Sequence, residues 1–250
     1  MTVAMNAPAG AAISLVSPAI SCRGVVKSFG SGDVLIRVIH DVDLNVFAGQ
    51  MTLLIGPSGC GKTTMISMIA GILTADQGEI DVFGTVVTKL KGDRLVKFRR
   101  ENIGFIFQQF NLLPALTATE NAAIPLIVQG VNESRANSKA RDLLARLGLE
   151  KHLAKYPTQL SGGQQQRVAI ARALVHEPRF IVCDEPTASL DAASGRAAMD
   201  LLKAAAVKPD RAVIVVTHDH RVFSFADRII SMSDGRVERT IDDPSQMDAN

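Results

Sequence analysis

Apolar positions along the chain fall into short blocks with two different periods. From Ile20 the run ISCRGVVKSFG alternates apolar and polar residues, the period of a strand with one buried face. It stops at a Gly/Ser/Asp turn, Gly30 to Asp33, and apolar character returns over Val34 to Ile39. The pattern predicts an opening β-hairpin. Met51 to Ile55 is a compact apolar run, followed by a glycine-rich turn and a helical repeat over Lys62 to Leu73. Strand, glycine loop and helix in that order begin an α/β unit.

Three further runs, Ile103 to Phe107, Phe180 to Cys183 and Ala212 to Thr217, are short and rich in β-branched or aromatic residues. Polar residues bound each of them, as expected of buried strands in a mostly parallel sheet. Residues 110–176 lie between the first and second of these runs and read differently. Asn132 is placed to cap a helix whose Ala136, Ala140, Leu143, Leu144 and Leu147 share one face, with Gly148 as its stop. This predicts a helical insertion within the sheet domain. Thr88 to Glu101 holds six basic residues against Asp93 and Glu101 and is read as a solvated helix face.

Composition narrows the picture. A chain of 250 residues is one large domain or two small ones at roughly 150 residues each. Its 27 basic and 25 acidic side chains nearly cancel, which argues against a general nucleic-acid binder. The longest unbroken apolar run is five residues, Ala212 to Val216, far short of the about 20 that a bilayer-spanning helix needs. Residues 1–19 are rich in Ala, Pro and Ser, with no basic residue ahead of an apolar stretch that Pro8, Gly10 and Pro18 interrupt. They are expected to form a disordered tail and not a signal peptide. The cysteines, Cys22, Cys60 and Cys183, are odd in number and widely spaced, which fits neither a disulfide framework nor a zinc site and suits a reducing cytoplasm.

Candidate chemistry concentrates in four places. Gly56-Pro57-Ser58-Gly59-Cys60-Gly61-Lys62-Thr63-Thr64 fits GxxxxGK[ST] after a predicted strand and before a predicted helix. Glycines let backbone N–H groups converge on phosphate oxygens, the helix start adds a favourable dipole, and Lys62 adds a point charge. Thr63 would place its hydroxyl on Mg²⁺, while Cys60 is read as a small residue filling the loop. Phe180 to Glu185 is an apolar strand ending in two acids; Asp184 would hold the metal through water, and Glu185 could orient and deprotonate an attacking water. His218 ends the run Ala212 to Thr217, so it is expected at the same sheet edge, where α/β ligands bind. Leu160-Ser161-Gly162-Gly163-Gln164-Gln165-Gln166-Arg167 reads as a second helix start and a second anion site. It brings no lysine or metal ligand of its own, which invites a head-to-tail dimer in which each copy completes the other's site.

With these motifs the sequence resembles an ATP-binding-cassette (ABC) transporter nucleotide-binding subunit over about residues 20–240. LSGGQQQR matches the family signature, Gly56 to Thr64 the Walker A, Phe180 to Glu185 the Walker B, Ser189-Leu190-Asp191 the D-loop, and Thr217-His218-Asp219 the switch histidine. The resemblance implies an α/β fold of the P-loop NTPase type: a RecA-like core, an antiparallel β subdomain and a helical subdomain at about 110–176, with residues 241–250 as a second tail. It implies ATP and Mg²⁺ as ligands. Glu185, His218 and Gln108 are then the catalytic residues, with Gln108 sensing Mg²⁺ and γ-phosphate and coupling to a membrane partner, and Thr63, Gln108 and Asp184 attend the metal. Phe29 stands in Lys27-Ser28-Phe29-Gly30 where the family usually has an adenine-stacking tyrosine. Stacking needs only a π-face, so Phe29 is expected to serve.

The segment Gln108 to Thr117, with Glu120-Asn121 and Ile124-Pro125-Leu126, is similar to the macrolide-exporter and lipoprotein-releasing branch, including DevA-type glycolipid exporters. That branch implies a homodimer closed on ATP, a four-span permease with a large periplasmic domain, often a periplasmic adaptor, and a place on the cytoplasmic face of the inner membrane. An importer ATPase would share every catalytic motif, although many carry a long C-terminal domain and only 32 residues follow His218 here. Soluble ABC proteins of DNA repair or chromosome maintenance usually place a long coiled coil or zinc insertion between Walker A and the signature, and Lys62 and Ser161 are only 99 positions apart. Translation-associated members usually carry two cassettes per chain. A P-loop kinase or GTPase has no use for LSGGQ.

Overall fold

The computed structural model describes residues 17–30 and 34–242. The expected tails over 1–16 and 243–250, and residues 31–33 of the predicted turn, lie outside the described residues. The predicted hairpin is present as β1 (Ile20–Phe29) and β2 (Ile36–Val46), antiparallel from Ile20 opposite Val46 to Phe29 opposite Ile36. The return strand starts two residues after Val34 and runs on to Val46. β4 (Gln77–Val82) pairs with the other edge of β1, and β5 (Thr85–Val86) closes the sheet in the order β2-β1-β4-β5. The pattern did not announce β4, because only Ile80 and Val82 of its six residues are buried. Packing also reaches slightly beyond the expected limits: Ala19 is buried and its carbonyl accepts from Phe83 N–H at 2.7 Å.

The larger sheet comprises β3 (Met51–Ile55), β6 (Ile103–Ile106), β7 (Phe180–Asp184), β8 (Ala212–Val216), β9 (Arg228–Ser233) and β10 (Arg236–Ile241). Their order is β10-β9-β3-β8-β7-β6, all parallel except β10, which turns back antiparallel on β9. β10 reaches Ile241, buried and opposite Ile229, one residue past the expected limit of 240. Leu53 lies beside Val215, and Val182 beside Ile214.

Two cores sit on opposite faces of this sheet, and strand periodicity divides the residues between them. Phe180, Val182, Ile214, Val216 and Leu54 face α1 (Lys62–Ile69) and the smaller sheet. Ile181, Cys183, Val213, Val215 and Leu53 face the helices of the other layer. Each fully buried aliphatic side chain contributes about 1.5–3 kcal/mol, so a slip of one residue in β7 or β8 would exchange the two sets and is strongly disfavoured.

α1 ends at Ile69 and not at Leu73, because Gly71 adopts φ 66° and the N–H of Ile72 returns to Ser67 O at 2.8 Å. Such a left-handed turn takes up the last carbonyls of the helix. α2 (Gly92–Asn102) is the basic helix; only Phe98 of it is buried, and Arg99 reaches Gly71 O at 2.7 Å. Between β6 and β7 stand α3 (Ala118–Val128), α4 (Glu133–Arg146) and α5 (Gly162–Leu174), the predicted helical insertion. Asn132 caps α4 by accepting from Ser134 N–H at 3.0 Å, and Ala136, Ala140 and Leu144 are buried as a face. α6 (Ala192–Ala206) follows β7.

Candidate functional site

The carboxyl ends of β3, β8 and β7 lie side by side, and the chemistry-bearing residues are the ones that follow them. After β3 the chain enters the loop Gly56 to Gly61. Gly56 has φ 146°, and a Cβ there would fall 2.0 Å from Met232 O, so the loop can leave the strand at this angle only without a side chain. Gly61 starts α1 at φ 101°, with no side chain capping the helix. The N–H groups of the first helical turn are therefore unpaired within the helix and converge with the positive end of its dipole.

Lys62 is buried, 6% exposed, with Nζ donating to Gly56 O and Pro57 O at 2.8 Å each. Cys60, also buried, has Sγ 3.8 Å from Lys62 Nζ, as expected of a residue filling the loop. Pro57, Ser58, Gly59 and Thr64 lie along the same turn and the first residues of α1.

Thr63 Oγ1 donates to the Asp184 carboxylate, 3.3 Å from Oδ1 and 3.2 Å from Oδ2. This joins the helix start after β3 to the end of β7. Burial pushes the Asp184 carboxyl above its usual range, opposed by the Thr63 hydrogen bond, reinforced by the charge of Glu185 and opposed again by Lys62. A hydroxyl beside a desolvated carboxylate is a hard oxygen donor set, the chemistry that suits Mg²⁺.

Glu185 adopts φ 48°, a conformation that is costly for a residue with a Cβ. Its N–H donates to Val216 O at 2.9 Å, which ties the turn to the end of β8. The turn brings Glu185 Oε1 within 2.9 Å of His218 Nδ1. With Nδ1 engaged by the carboxylate, Nε2 is the ring atom left to meet a ligand. Glu185, His218, Thr187 and Asp219 line a cleft of about 460 Å³.

The other predicted residues stand apart from this cluster. Gln108 is exposed on the turn after β6; its carbonyl accepts from Ser189 Oγ at 3.4 Å, and among the described residues its amide makes no hydrogen bond to Thr63 or Asp184. Ser161 caps α5: its Oγ accepts from Gln164 N–H at 3.3 Å, while Ser161 N–H donates to Gln164 Oε1 at 3.0 Å. Gly162 and Gly163 face Leu190 and Ser194 respectively, not the phosphate loop. Asp191 caps α6, accepting from Ser194 N–H at 2.9 Å and Ser194 Oγ at 2.7 Å, bonds that hold its carboxyl below the usual range. Phe29 is half-exposed at the end of β1, with Lys27 Nζ 5.5 Å from its ring centroid.

Several supporting residues escaped the sequence reading. Asp76 holds the segment before Phe29, accepting from Lys27 Nζ at 2.7 Å and Ser28 N–H at 2.6 Å. Arg172 donates at 2.6 Å each to the carbonyls of Phe110 and Asn111, two successive left-handed residues just past Gln108. An arginine flanked by Ala171 and Ala173 in an apolar helix was the available signal, since a partly buried guanidinium needs acceptors. Arg221 and Thr187 escaped it too: they donate at 2.8 Å and 3.4 Å to Asp219, the residue after His218 in the motif already named.

The sequence profile of the ABC transporter family matches residues 39–188. The chain belongs to the ABC transporter family. An uncharacterized ABC transporter ATP-binding protein of Methanocaldococcus jannaschii, MJ0796, is 42% identical over 224 residues, covering 88% of this chain and 95% of that one. The macrolide export ATP-binding/permease protein MacB of Pasteurella multocida is 40% identical over 220 residues, covering 88% of this chain and 34% of MacB. An uncharacterized ABC transporter ATP-binding protein of Mycobacterium tuberculosis is 42% identical over 218 residues, and there too the chain spans only part of its relative, 66%. A dimeric structure of MJ0796 in a post-hydrolysis state, bound to ADP and Pi, superposes with a TM-score of 0.80 at 40% identity, covering 89% of this chain and 97% of that one. This chain is accordingly an ABC ATPase with the α/β cassette fold, and no helix among the described residues is long and apolar enough to cross a membrane.

Proposed function

We propose that this ABC ATPase closes as a homodimer around two molecules of ATP and that closure and hydrolysis drive a membrane permease of the exporter or lipid-extracting type. One observation carries the reading. Lys62, Thr63, Asp184, Glu185 and His218 converge at the carboxyl ends of three adjacent strands, while Ser161 starts a helix of the insertion that contributes neither a lysine nor a carboxylate. A complete site then takes its main part from one copy and the signature from the other.

In this reading Lys62 leaves the carbonyls of Gly56 and Pro57 to meet the phosphates, which the N–H groups from Gly59 to Thr64 cradle. Thr63 and Asp184, with Gln108 swinging in, would hold Mg²⁺, whose chemistry is to neutralise charge on the β- and γ-phosphates. Glu185 orients and deprotonates the attacking water, and His218 Nε2 faces the γ-phosphate. Ser161, Gly162, Gly163 and Gln164 of the second copy close the other side, Asp191 holds the adjoining turn, and Phe29 stacks on adenine.

The permease contact is assigned to the free edge of the larger sheet. There Phe105 and Phe107 of the β6 region stack at 4.2 Å between centroids and line a cavity of about 240 Å³ with Pro125 and Val128. Gln108 is the next residue, so the partner's movement would reach the nucleotide through it. The similarity to MacB, named an ATP-binding/permease protein, supports a permease partner; its four spans and large periplasmic domain, a periplasmic adaptor and a place on the cytoplasmic face of the inner membrane are part of the reading through the branch resemblance of the Gln108 to Leu126 segment.

Glu185→Gln decides the catalytic assignment. The variant should bind ATP and form a nucleotide-stabilised dimer in size-exclusion chromatography, while phosphate release falls at least about a hundredfold; near-normal turnover would sink it. Co-purification of a permease with six or more spans and a binding protein would overturn the exporter reading.

A further inference from the structure

His152 lies on the turn between α4 and α5, and no motif includes it. Its ring Nε2 is 3.1 Å from Gln164 Nε2. The direction of that bond follows from the rest of the capping box. Gln164 Oε1 already accepts from Ser161 N–H at 3.0 Å, so the amide turns its NH₂ toward the ring. An NH₂ group can only donate, so the ring nitrogen facing it must be the acceptor and the ring proton must sit on Nδ1. His152 Nδ1 is buried and has no hydrogen-bond partner among the described residues.

The backbone that carries the ring is fixed on both sides. His152 N–H donates to Leu149 O at 2.9 Å, and His152 O accepts from Lys155 N–H at 3.1 Å. Ring, amide and Ser161 thus form one chain of contacts. His152 fixes the rotation of the Gln164 amide, that amide fixes the Ser161 backbone, and Ser161 Oγ stays on Gln164 N–H at 3.3 Å with its own hydroxyl proton free to point outward.

We propose that His152 is a positioning residue for the signature: as a neutral Nδ1–H imidazole it locks the Ser161/Gln164 box in the geometry that meets the second copy's nucleotide. The functional half of this inference rests on the homodimer reading above; the tautomer does not.

Two measurements on the full chain test it, and they fail separately. In histidine ¹⁵N NMR near neutral pH, His152 should show a protonated Nδ1 and an unprotonated Nε2, a pattern that Gln164→Leu abolishes. An Nε2–H ring in the wild type, or a spectrum indifferent to Gln164→Leu, overturns the contact. In the second measurement, Mg-ATP is titrated into the Glu185→Gln protein and dimer formation is followed. Adding His152→Phe, which keeps a ring and removes the acceptor, should raise the ATP needed for half-dimerisation about tenfold, the effect of one lost hydrogen bond of ordinary strength. His152→Gln, whose amide oxygen accepts where Nε2 did, should recover most of that loss. Dimerisation unaffected by His152→Phe overturns the positioning role, as does His152→Gln impaired equally with Phe. If the Glu185→Gln parent itself fails to dimerise with ATP, the homodimer reading falls together with the functional half, and the NMR result alone decides the contact.

Discussion

Two helix starts in one chain answer the same problem in opposite ways. Every α-helix begins with N–H groups that lack an intrahelical partner. α1 leaves them open: it starts at Gly61 with no side-chain cap, and its cation, Lys62, rests on loop carbonyls. α5 closes on itself, with Ser161 and Gln164 each satisfying the other's N–H. The first arrangement gives up capping stability and gains a cradle able to take a polyanion, supported by the Thr63 hydroxyl of the helix itself and the Asp184 carboxylate at the end of β7. The second is stable alone and carries no charge, so it can supplement a phosphate site without constituting one. That asymmetry is the physical case for a dimer whose copies meet head to tail.

The strongest way to break the contrast is to discharge the open start. Lys62→Ala is expected to lower ATP hydrolysis at least about a hundredfold, read as phosphate release at saturating Mg-ATP. Retention within tenfold would mean that the anion is not held at α1.

Asp184→Asn separates the function of the open start from its stability. The Asp184 carboxyl is pushed above its usual range, first by burial, so the folded state binds this proton more tightly than the unfolded chain does. The resulting stabilisation is fully present below the ordinary Asp pKa and is lost as pH rises through the raised value. Above the raised value the nucleotide-free protein therefore carries a disfavoured, half-buried charge. Asp184→Asn should raise Tm by about 2 °C in nucleotide-free protein and flatten its dependence on pH through the acid range, while Mg²⁺-dependent hydrolysis falls at least tenfold. An unchanged or lower Tm would mean that the carboxylate is well solvated.

What the sequence made legible follows the same division. The open start could be read in advance because its constraints are local: a glycine-rich turn between strand and helix, with Lys62 directly after Gly61, leaves few alternatives. The strand ends at Asp184 and His218 were equally legible, since apolar runs fix where a buried strand stops. Contacts between distant segments were not. Nothing near Asp76 signals that it will hold Lys27 and Ser28, 48 or more residues away, and Arg172 meets Phe110 and Asn111 only after α5 has packed beside the turn that follows β6. β4 and β5 were hidden by their polarity, and the early end of α1 by Gly71, whose left-handed turn stops a helix that the apolar pattern would have continued to Leu73.

Gly61→Ala attacks the backbone of the open start. The position has φ 101°, and a Cβ would lie 2.6 Å from Ile39 Cδ1; a cost of about 1–3 kcal/mol is expected, measured as a lower denaturation midpoint at unchanged slope. Ser161→Ala attacks the closed start and should cost less, about 1 kcal/mol. If the alanine at 161 proved the more damaging of the two for stability, the box would be holding more than the helix.

Gln164→Glu gives the smallest expected effect and sharpens the contrast most. Both Glu and Gln serve at the third position of a capping box, and a carboxylate near a helix start is favourable by roughly 0.3–1 kcal/mol. The folded chain should therefore keep its Tm within about 2 °C. The same substitution removes the NH₂ that His152 accepts from and places a negative charge where a second copy's phosphates would approach. Thermal melting should see almost nothing, while ATP-driven dimerisation of the Glu185→Gln protein should weaken severalfold. Equal losses in both measurements would show that α5 is an ordinary capped helix whose start meets no anion, and the functional difference between the two helix starts would disappear with it.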